Sequence, residues 1–187
     1  SVPPAAYYST SHRASVKESA DRFSALSKRG EEGEITTVLN KEFPFVQDLG
    51  IETFYGQPML HAKVVGVREK LPMGLVSEGI SRILNILLGI TGTPQGIVLV
   101  DEIETGIYHS KFQRFWPILL RFSTNHHVQL FATTHSMETL QGMKEIMSKH
   151  QDEFAIIRTD RKNGECNARS YGGSELLSAL RQEAEIR

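Results

Sequence analysis

The sequence predicts an α/β fold built on a mostly parallel sheet with flanking helices, and three observations carry that prediction. Gly96-Ile97-Val98-Leu99-Val100 is a short, unbroken apolar run rich in β-branched residues, the pattern of a strand buried on both faces. Val128 to Ala132 is a second strand, and between the two Phe112, Phe115, Trp116, Leu119 and Leu120 recur at helical spacing. Strand, helix and strand within this length form a right-handed parallel crossover, so both strands deliver their carboxyl ends to one sheet edge, where open parallel sheets bind ligands.

The remaining elements follow in order. Tyr7 to Thr10 reads as a short strand, and a polar helix follows from about Ser15 to Lys28, with Phe23 and Leu26 as its apolar contacts. Gly30 and Gly33 punctuate the chain before a second helix from Ile35 to about Lys41, which Pro44 keeps from continuing. Val46 to Tyr55 and Met59 to Val67 read as a strand pair turned by Gly56-Gln57-Pro58. Ile80, Ile83, Leu84, Leu87 and Leu88 mark a buried helix that ends near Ile90, with Gly89 and Gly92 as stop signals. Pro117 should kink or split the crossover helix. A helix from about Met137 to Lys149, a strand from Phe154 to Arg158, a turn at Lys162-Asn163-Gly164 and a return from Cys166 to Tyr171 follow, and Leu176, Leu177 and Leu180 mark a last short helix.

Composition narrows the function classes. A chain of 187 residues with 40% hydrophobic content buries one ordinary core. The formal net charge of −1 provides no bulk attraction to nucleic acid or an anionic membrane, although Lys63 to Lys70 forms a local basic stretch. Cys166 is the single cysteine and cannot form an internal disulfide, and no apolar stretch reaches membrane-spanning length, so a cytoplasmic location is expected with no membrane partner. The opening Ser1-Val2-Pro3-Pro4 lacks an initiator methionine and runs at once into a strand-like segment, the expectation for a truncated, processed or renumbered fragment.

Three constellations carry chemistry. At the end of the apolar strand, Asp101 is placed to hold a hydrated magnesium ion and Glu102 to position or deprotonate water, the division of labour that nucleotide hydrolysis needs. Taken alone, the pair reads equally as solvated acids after a strand. Thr133-Thr134-His135-Ser136 ends the neighbouring strand, where His135 can hydrogen-bond a terminal phosphate; the competing reading makes Ser136 a helix N-cap and leaves His135 structural. Ser77-Glu78-Gly79-Ile80-Ser81-Arg82 opens the helix before the acidic strand, so a hydroxyl, a glycine backbone and helix N-terminal amides can face an anion, or simply cap a helix.

Together these elements resemble the distal half of ATP-binding-cassette ATPases, specifically the bacterial AAA-type, ABC-like proteins related to the RecF and OLD groups. Ser77 to Arg82 resembles the divergent signature motif, Gly96 to Glu102 the Walker B strand, Glu104-Thr105-Gly106-Ile107-Tyr108-His109 the D-loop, and Gln129 to Ser136 the switch-histidine segment. The resemblance is clear from about Leu71 to Met143 and extends to the closing Tyr171 to Arg187. It implies a P-loop NTPase-like sheet, ATP and Mg2+ as cofactors, Asp101 as metal ligand, Glu102 and His135 as catalytic residues, and Ser77 and Gly79 as contacts to the phosphate held by a second subunit in a head-to-tail dimer. The pattern departs from the family in one essential respect: no G-x-x-x-x-G-K-[ST] loop occurs, so the cradle for the β- and γ-phosphates is absent. Glu78 also stands where many cassette ATPases have glycine.

One partial ATPase domain is therefore expected over 1–187, with a helical and strand-pair region at 1–70 and the motif-bearing region at 71–187. The partner expected is a second copy or a complementary ATPase half carrying the phosphate loop; relatives suggest DNA or a defence-system effector as further partners. Two other readings use the same residues. A non-hydrolysing module would use this surface to dock a complete ATPase, and a Toprim-like nuclease would use the sheet-edge acids for metal-dependent cleavage, although that leaves the signature and histidine segments unexplained.

Overall fold

The computed structural model describes residues 2–9, 16–162, 164–172, 175, 177 and 178, with residues 109–112 and 162 described in backbone only. The chain divides into two compact units, Ser1–His135 and Ser136–Arg187.

The first unit begins with β1 (Ala5–Tyr8), α1 (Val16–Arg29) and α2 (Glu32–Glu42). α1 buries Ala20, Phe23 and Leu26, one apolar stripe on an otherwise polar helix, and α2 buries Ile35, Val38 and Leu39. β2 (Val46–Phe54) and β3 (Gln57–Val64) pair antiparallel, and the short β4 (Leu71–Pro72), which the sequence did not announce, adds a third strand beside β3. The β2–β3 turn is tighter than Gly56-Gln57-Pro58: Phe54 pairs with Gln57 and Pro58 lies within the strand opposite Thr53. The loop is Tyr55-Gly56, with φ of 48° and 76°, the left-handed pair that a two-residue hairpin requires.

A one-turn helix, α3 (Met73–Val76), leads to α4 (Glu78–Gly92), which runs two residues past the expected end. α4 is buried on nearly every side, with Ile80, Ile83, Leu84, Ile86, Leu87, Leu88 and Ile90 all in the core. It packs against α1, β1, β5 (Ile97–Val100) and α5 (His109–Asn125). α5 is one continuous helix with Pro117 inside it, so the proline does not split it. Phe115, Trp116, Leu119 and Phe122 are buried on either side of the proline, and Phe115 stacks on Phe43 with ring centroids 5.7 Å apart. Packing of this face outweighs the lost backbone hydrogen bond.

β6 (Gln129–Ala132) completes a three-stranded parallel sheet in the order β1-β5-β6. The expected parallel crossover is therefore present, but β5 is not buried on both faces. Ala6, Tyr8, Val98 and Val100 point to the covered face at 7% exposure or less. Their neighbours point the other way and stay open: Tyr7 is 65% exposed, Leu99 39% and Phe131 42%. These three are register partners, Tyr7 opposite Leu99 and Leu99 opposite Phe131, so they form one stripe across the sheet.

The second unit contains α6 (Met137–Gly142), α7 (Lys144–Lys149), a 3-10 turn (Gln151–Glu153) and the antiparallel pair β7 (Ala155–Lys162) and β8 (Glu165–Gly172). The single helix expected from Met137 to Lys149 is broken at Met143, whose N–H closes a tight turn onto the Leu140 carbonyl just after Gly142. The expected antiparallel pair is present with Arg161 opposite Cys166, but β7 continues four residues past the expected Arg158. Leu176 and Leu180 lie outside the described residues.

Candidate functional site

The carboxyl edge of the parallel sheet is built from backbone register first. Val100 of β5 pairs with Ala132 of β6, so the next residues, Asp101 and Thr133, leave the sheet side by side. The Thr133 hydroxyl donates to Asp101 Oδ1 at 2.6 Å and accepts from the Glu102 N–H at 2.8 Å. The Thr133 carbonyl accepts from the Ile103 N–H at 3.0 Å. One threonine thus orients the carboxylate of the first acid and the backbone of the second.

Glu102 has φ of 44°, a left-handed conformation that side-chain-bearing residues adopt at a cost of about 1–3 kcal/mol and that concentrates at functional sites. Its carboxylate accepts from the Thr105 hydroxyl at 3.2 Å. Ile103 is buried and anchors the turn from below. Glu104 then reaches the adjacent segment, accepting from the His135 N–H at 3.2 Å through Oε1. His135 is exposed, and its main chain rather than its imidazole is what Glu104 holds.

The helix start is joined to the same turn from the opposite side. Ser77 is the N-cap of α4, and its hydroxyl accepts from the Ile80 N–H at 3.4 Å. Two residues on, Gly79 lies so close to the turn that a Cβ there would stand 2.3 Å from the Gly106 carbonyl oxygen, too near for any side chain. Gly106 itself has φ of 77°. Arg82 crosses the remaining gap, donating through Nη2 to the carbonyls of Asp101 at 2.5 Å and Glu102 at 2.9 Å. Burial pulls its pKa down, while Glu104, Asp101, Glu102 and Glu78 pull it up. Ser136 caps α6, accepting from the Thr139 N–H at 3.1 Å, as the capping reading of that serine expects.

All five residues singled out from the sequence are described, and hydrogen bonds join two of them, Asp101 and Glu102, through Thr133. His135 enters through Glu104 and Gly79 through the turn at Gly106, while the Ser77 hydroxyl bonds within α4. Sequence reasoning missed Thr133, Glu104 and Arg82 as individual site residues. Thr133 was readable, since it follows the strand beside Asp101; Arg82 closes the signature-like segment, but nothing there signals a bond to a residue 19 positions further on. Among the described residues no group of three or more His, Cys, Asp and Glu gathers as a metal cage. A magnesium ion suits this edge nonetheless, because it is held by one or two carboxylates with waters and substrate phosphates completing its shell.

The fold is the one found in ABC-like ATPase domains. The family model described as "AAA domain, putative AbiEii toxin, Type IV TA system" matches residues 7–141, and the chain belongs to that family. An "ATP/GTP phosphatase" of Helicobacter pylori (strain ATCC 700392 / 26695) is 24% identical over 153 residues, which are 78% of this chain and 41% of that protein. The chain therefore spans less than half the length of this relative. Among solved structures, an SMC head bound to the C-winged helix domain of ScpA superimposes with a TM-score of 0.59 at 15% identity, over 87% of this chain and 50% of that one. A structure from work on ATP-driven dimerization and DNA-stimulated activation of SMC ATPases gives 0.57 at 13% identity, over 89% and 99%. At these identities the likeness establishes the fold, a P-loop NTPase sheet, and nothing finer. No helix among the described residues is long and apolar enough to cross a membrane.

Proposed function

We propose that this chain forms the distal part of an ATP-hydrolysing site, working in a head-to-tail dimer with a phosphate-binding loop supplied by another segment or chain. The observation that carries the reading is the Thr133 hydroxyl, which sets the Asp101 carboxylate and the Glu102 backbone side by side at a parallel-sheet edge. Asp101 holds the magnesium ion, which when bound neutralises charge on the phosphates. Glu102 takes the proton of the attacking water, and His135 donates a hydrogen bond to the terminal phosphate. Ser77 and Gly79 serve the phosphate held by the second subunit.

The bare sheet face supports the need for a completing segment. Parallel sheets are covered on both faces, and fully burying a side chain the size of Leu99 or Phe131 contributes roughly 1.5–3 kcal/mol. A layer containing the phosphate loop would cover Tyr7, Leu99 and Phe131. The same bare face favours the second reading, a module that docks a complete ATPase without hydrolysing ATP itself.

Glu102→Gln separates the two. Assayed with the phosphate loop present, it should slow hydrolysis by about 10²-fold or more while nucleotide binding persists and the ATP-bound dimer accumulates. Hydrolysis at the wild-type rate would remove Glu102 as base and leave the docking reading. The 187-residue chain alone should show little or no Mg-ATP binding by calorimetry, because amides and lysine of the missing loop make most of the phosphate contacts.

A further inference from the structure

Glu102 sits between two peptide planes, and each polar group of both planes is held. Thr133 holds the N–H side: its hydroxyl accepts from the Glu102 N–H and its carbonyl from the Ile103 N–H. Arg82 holds the C=O side, its Nη2 donating to the carbonyls of Asp101 and Glu102. The segment just after β6 thus grips the left-handed residue from one side and α4 from the other, while the Thr105 N–H also donates to the Glu102 carbonyl at 3.0 Å. Without that grip a φ of 44° is costly for a glutamate, and the segment would relax toward ordinary backbone.

An arginine among carboxylates frequently closes on one of them as a bidentate pair. Arg82 has Glu78, Asp101, Glu102 and Glu104 as its surrounding charges, yet the bonds from its Nη2 go to backbone carbonyls. Its Nε is buried without a hydrogen bond, and so is Oε2 of Glu104. Arg82 also lies three residues after Gly79, whose backbone is in contact with Gly106 at the far end of the same turn. The helix start and the acidic turn therefore meet at two points, one a backbone contact and one the guanidinium.

We infer that Arg82 is a positioning residue: it aims the Glu102 carboxylate by fixing the backbone around it, and it links that aim to the helix start bearing Ser77 and Gly79. A phosphate engaged at the helix start would then adjust the base of the same chain through this arginine. The functional part of the inference rests on the proposed ATPase reading.

The test uses this chain together with the segment or partner chain that supplies the phosphate loop, with Arg82→Lys and Arg82→Met beside the wild type. Both variants should lose about tenfold or more in kcat for ATP while KM stays within about twofold, because the contact aims a base and does not bind substrate. Lysine should not rescue, since both carbonyls are reached from Nη2 at the far end of the guanidinium and the lysine side chain is one atom shorter, which leaves its ammonium short of that position. Independently of activity, hydrogen exchange at the amides of Glu102 and Ile103 should quicken by about tenfold or more in Arg82→Met, with α4 and β5 unchanged. Wild-type kcat in Arg82→Met, full rescue by lysine, or exchange quickened along all of α4 would each overturn the inference. If the wild type itself does not hydrolyse ATP, the proposed function fails, and local exchange on the same variants still decides whether Arg82 fixes the turn. Should Arg82→Met not fold, Arg82→Gln gives the same two readouts.

Discussion

The two faces of the parallel sheet differ although the same strands make both. On one, Val98, Val100, Ala6 and Tyr8 are sealed under α4 and its neighbours; on the other, Tyr7, Leu99 and Phe131 stand open in a row. Adjacent residues of one strand thus have opposite fates, because side chains alternate across a pleat and this chain supplies helices for one side. The difference teaches that the covered face carries the stability of the first unit, while the open face contributes little to it.

The comparison breaks most visibly at neighbouring positions 98 and 99. Val98→Asp would place an unpaired carboxylate under helices and should cost the 187-residue chain about 3–5 kcal/mol or more, enough to abolish a cooperative unfolding transition. Leu99→Asp should change the same transition by less than about 1 kcal/mol, since the site is open. With the segment or chain that supplies the phosphate loop in place, Leu99→Asp should become costly as well. A Leu99→Asp effect as small with the phosphate loop present as in the 187-residue chain alone, by urea unfolding, would mean that no layer covers the open face.

The covered face has a pH signature. Burial raises the Tyr8 phenol from 10.0 to about 12, with Arg22, which donates to the phenol oxygen, pulling the other way. The unfolded chain releases this proton first as pH rises, so the contribution is complete below pH 10 and lost between about 10 and 12. Two units correspond to about 2–3 kcal/mol. Tyr8→Phe should flatten the alkaline fall in stability by about that amount; an alkaline limb that matches the wild type would place the phenol in water in solution.

Between the faces, the joint of helix start and turn is next in size. Gly79→Ala forces a methyl against the Gly106 carbonyl, so backbone must shift, at about 1–2 kcal/mol. Denaturant unfolding reads the cost, and faster exchange of amides in 102–107 locates it. A variant as stable as the wild type with unchanged exchange would show that the two segments do not meet.

Much of this architecture was legible. The crossover from Ile97 to Ala132 and the hairpin at Lys162 to Glu165 follow from periodicity and turn residues, and the meeting of Asp101 with the Thr133 segment follows from parallel register. What was not legible depends on partners. The run Ile97-Val98-Leu99-Val100 reads as doubly buried because sequence records the layer a strand is suited to, not which chain segment provides it. Pro117 promised a break that packing of Phe115 to Phe122 prevents, whereas Gly142 broke a helix that apolar spacing alone left whole. The reach of Arg82 exists only once α4 is seated beside β5, and no local pattern encodes that.

Ser77 tests the boundary between internal and external roles with the smallest energy. Its hydroxyl has an internal partner, the Ile80 N–H, at a long 3.4 Å, so Ser77→Ala should cost about 0.5–1 kcal/mol, the low end for an N-cap. That loss alone does not distinguish a cap from a phosphate contact. Ser77→Asp does: aspartate caps a helix as well as serine, and its charge favours the positive end of the helix, so stability should match or slightly exceed the wild type. The same carboxylate facing a γ-phosphate would repel it. With the phosphate loop present, Ser77→Asp should therefore keep its melting temperature and lose ATP-induced dimerisation in light scattering. If dimerisation survives in Ser77→Asp, the hydroxyl has only its internal partner, and the start of α4 belongs with the covered face rather than with the edge that meets a second subunit.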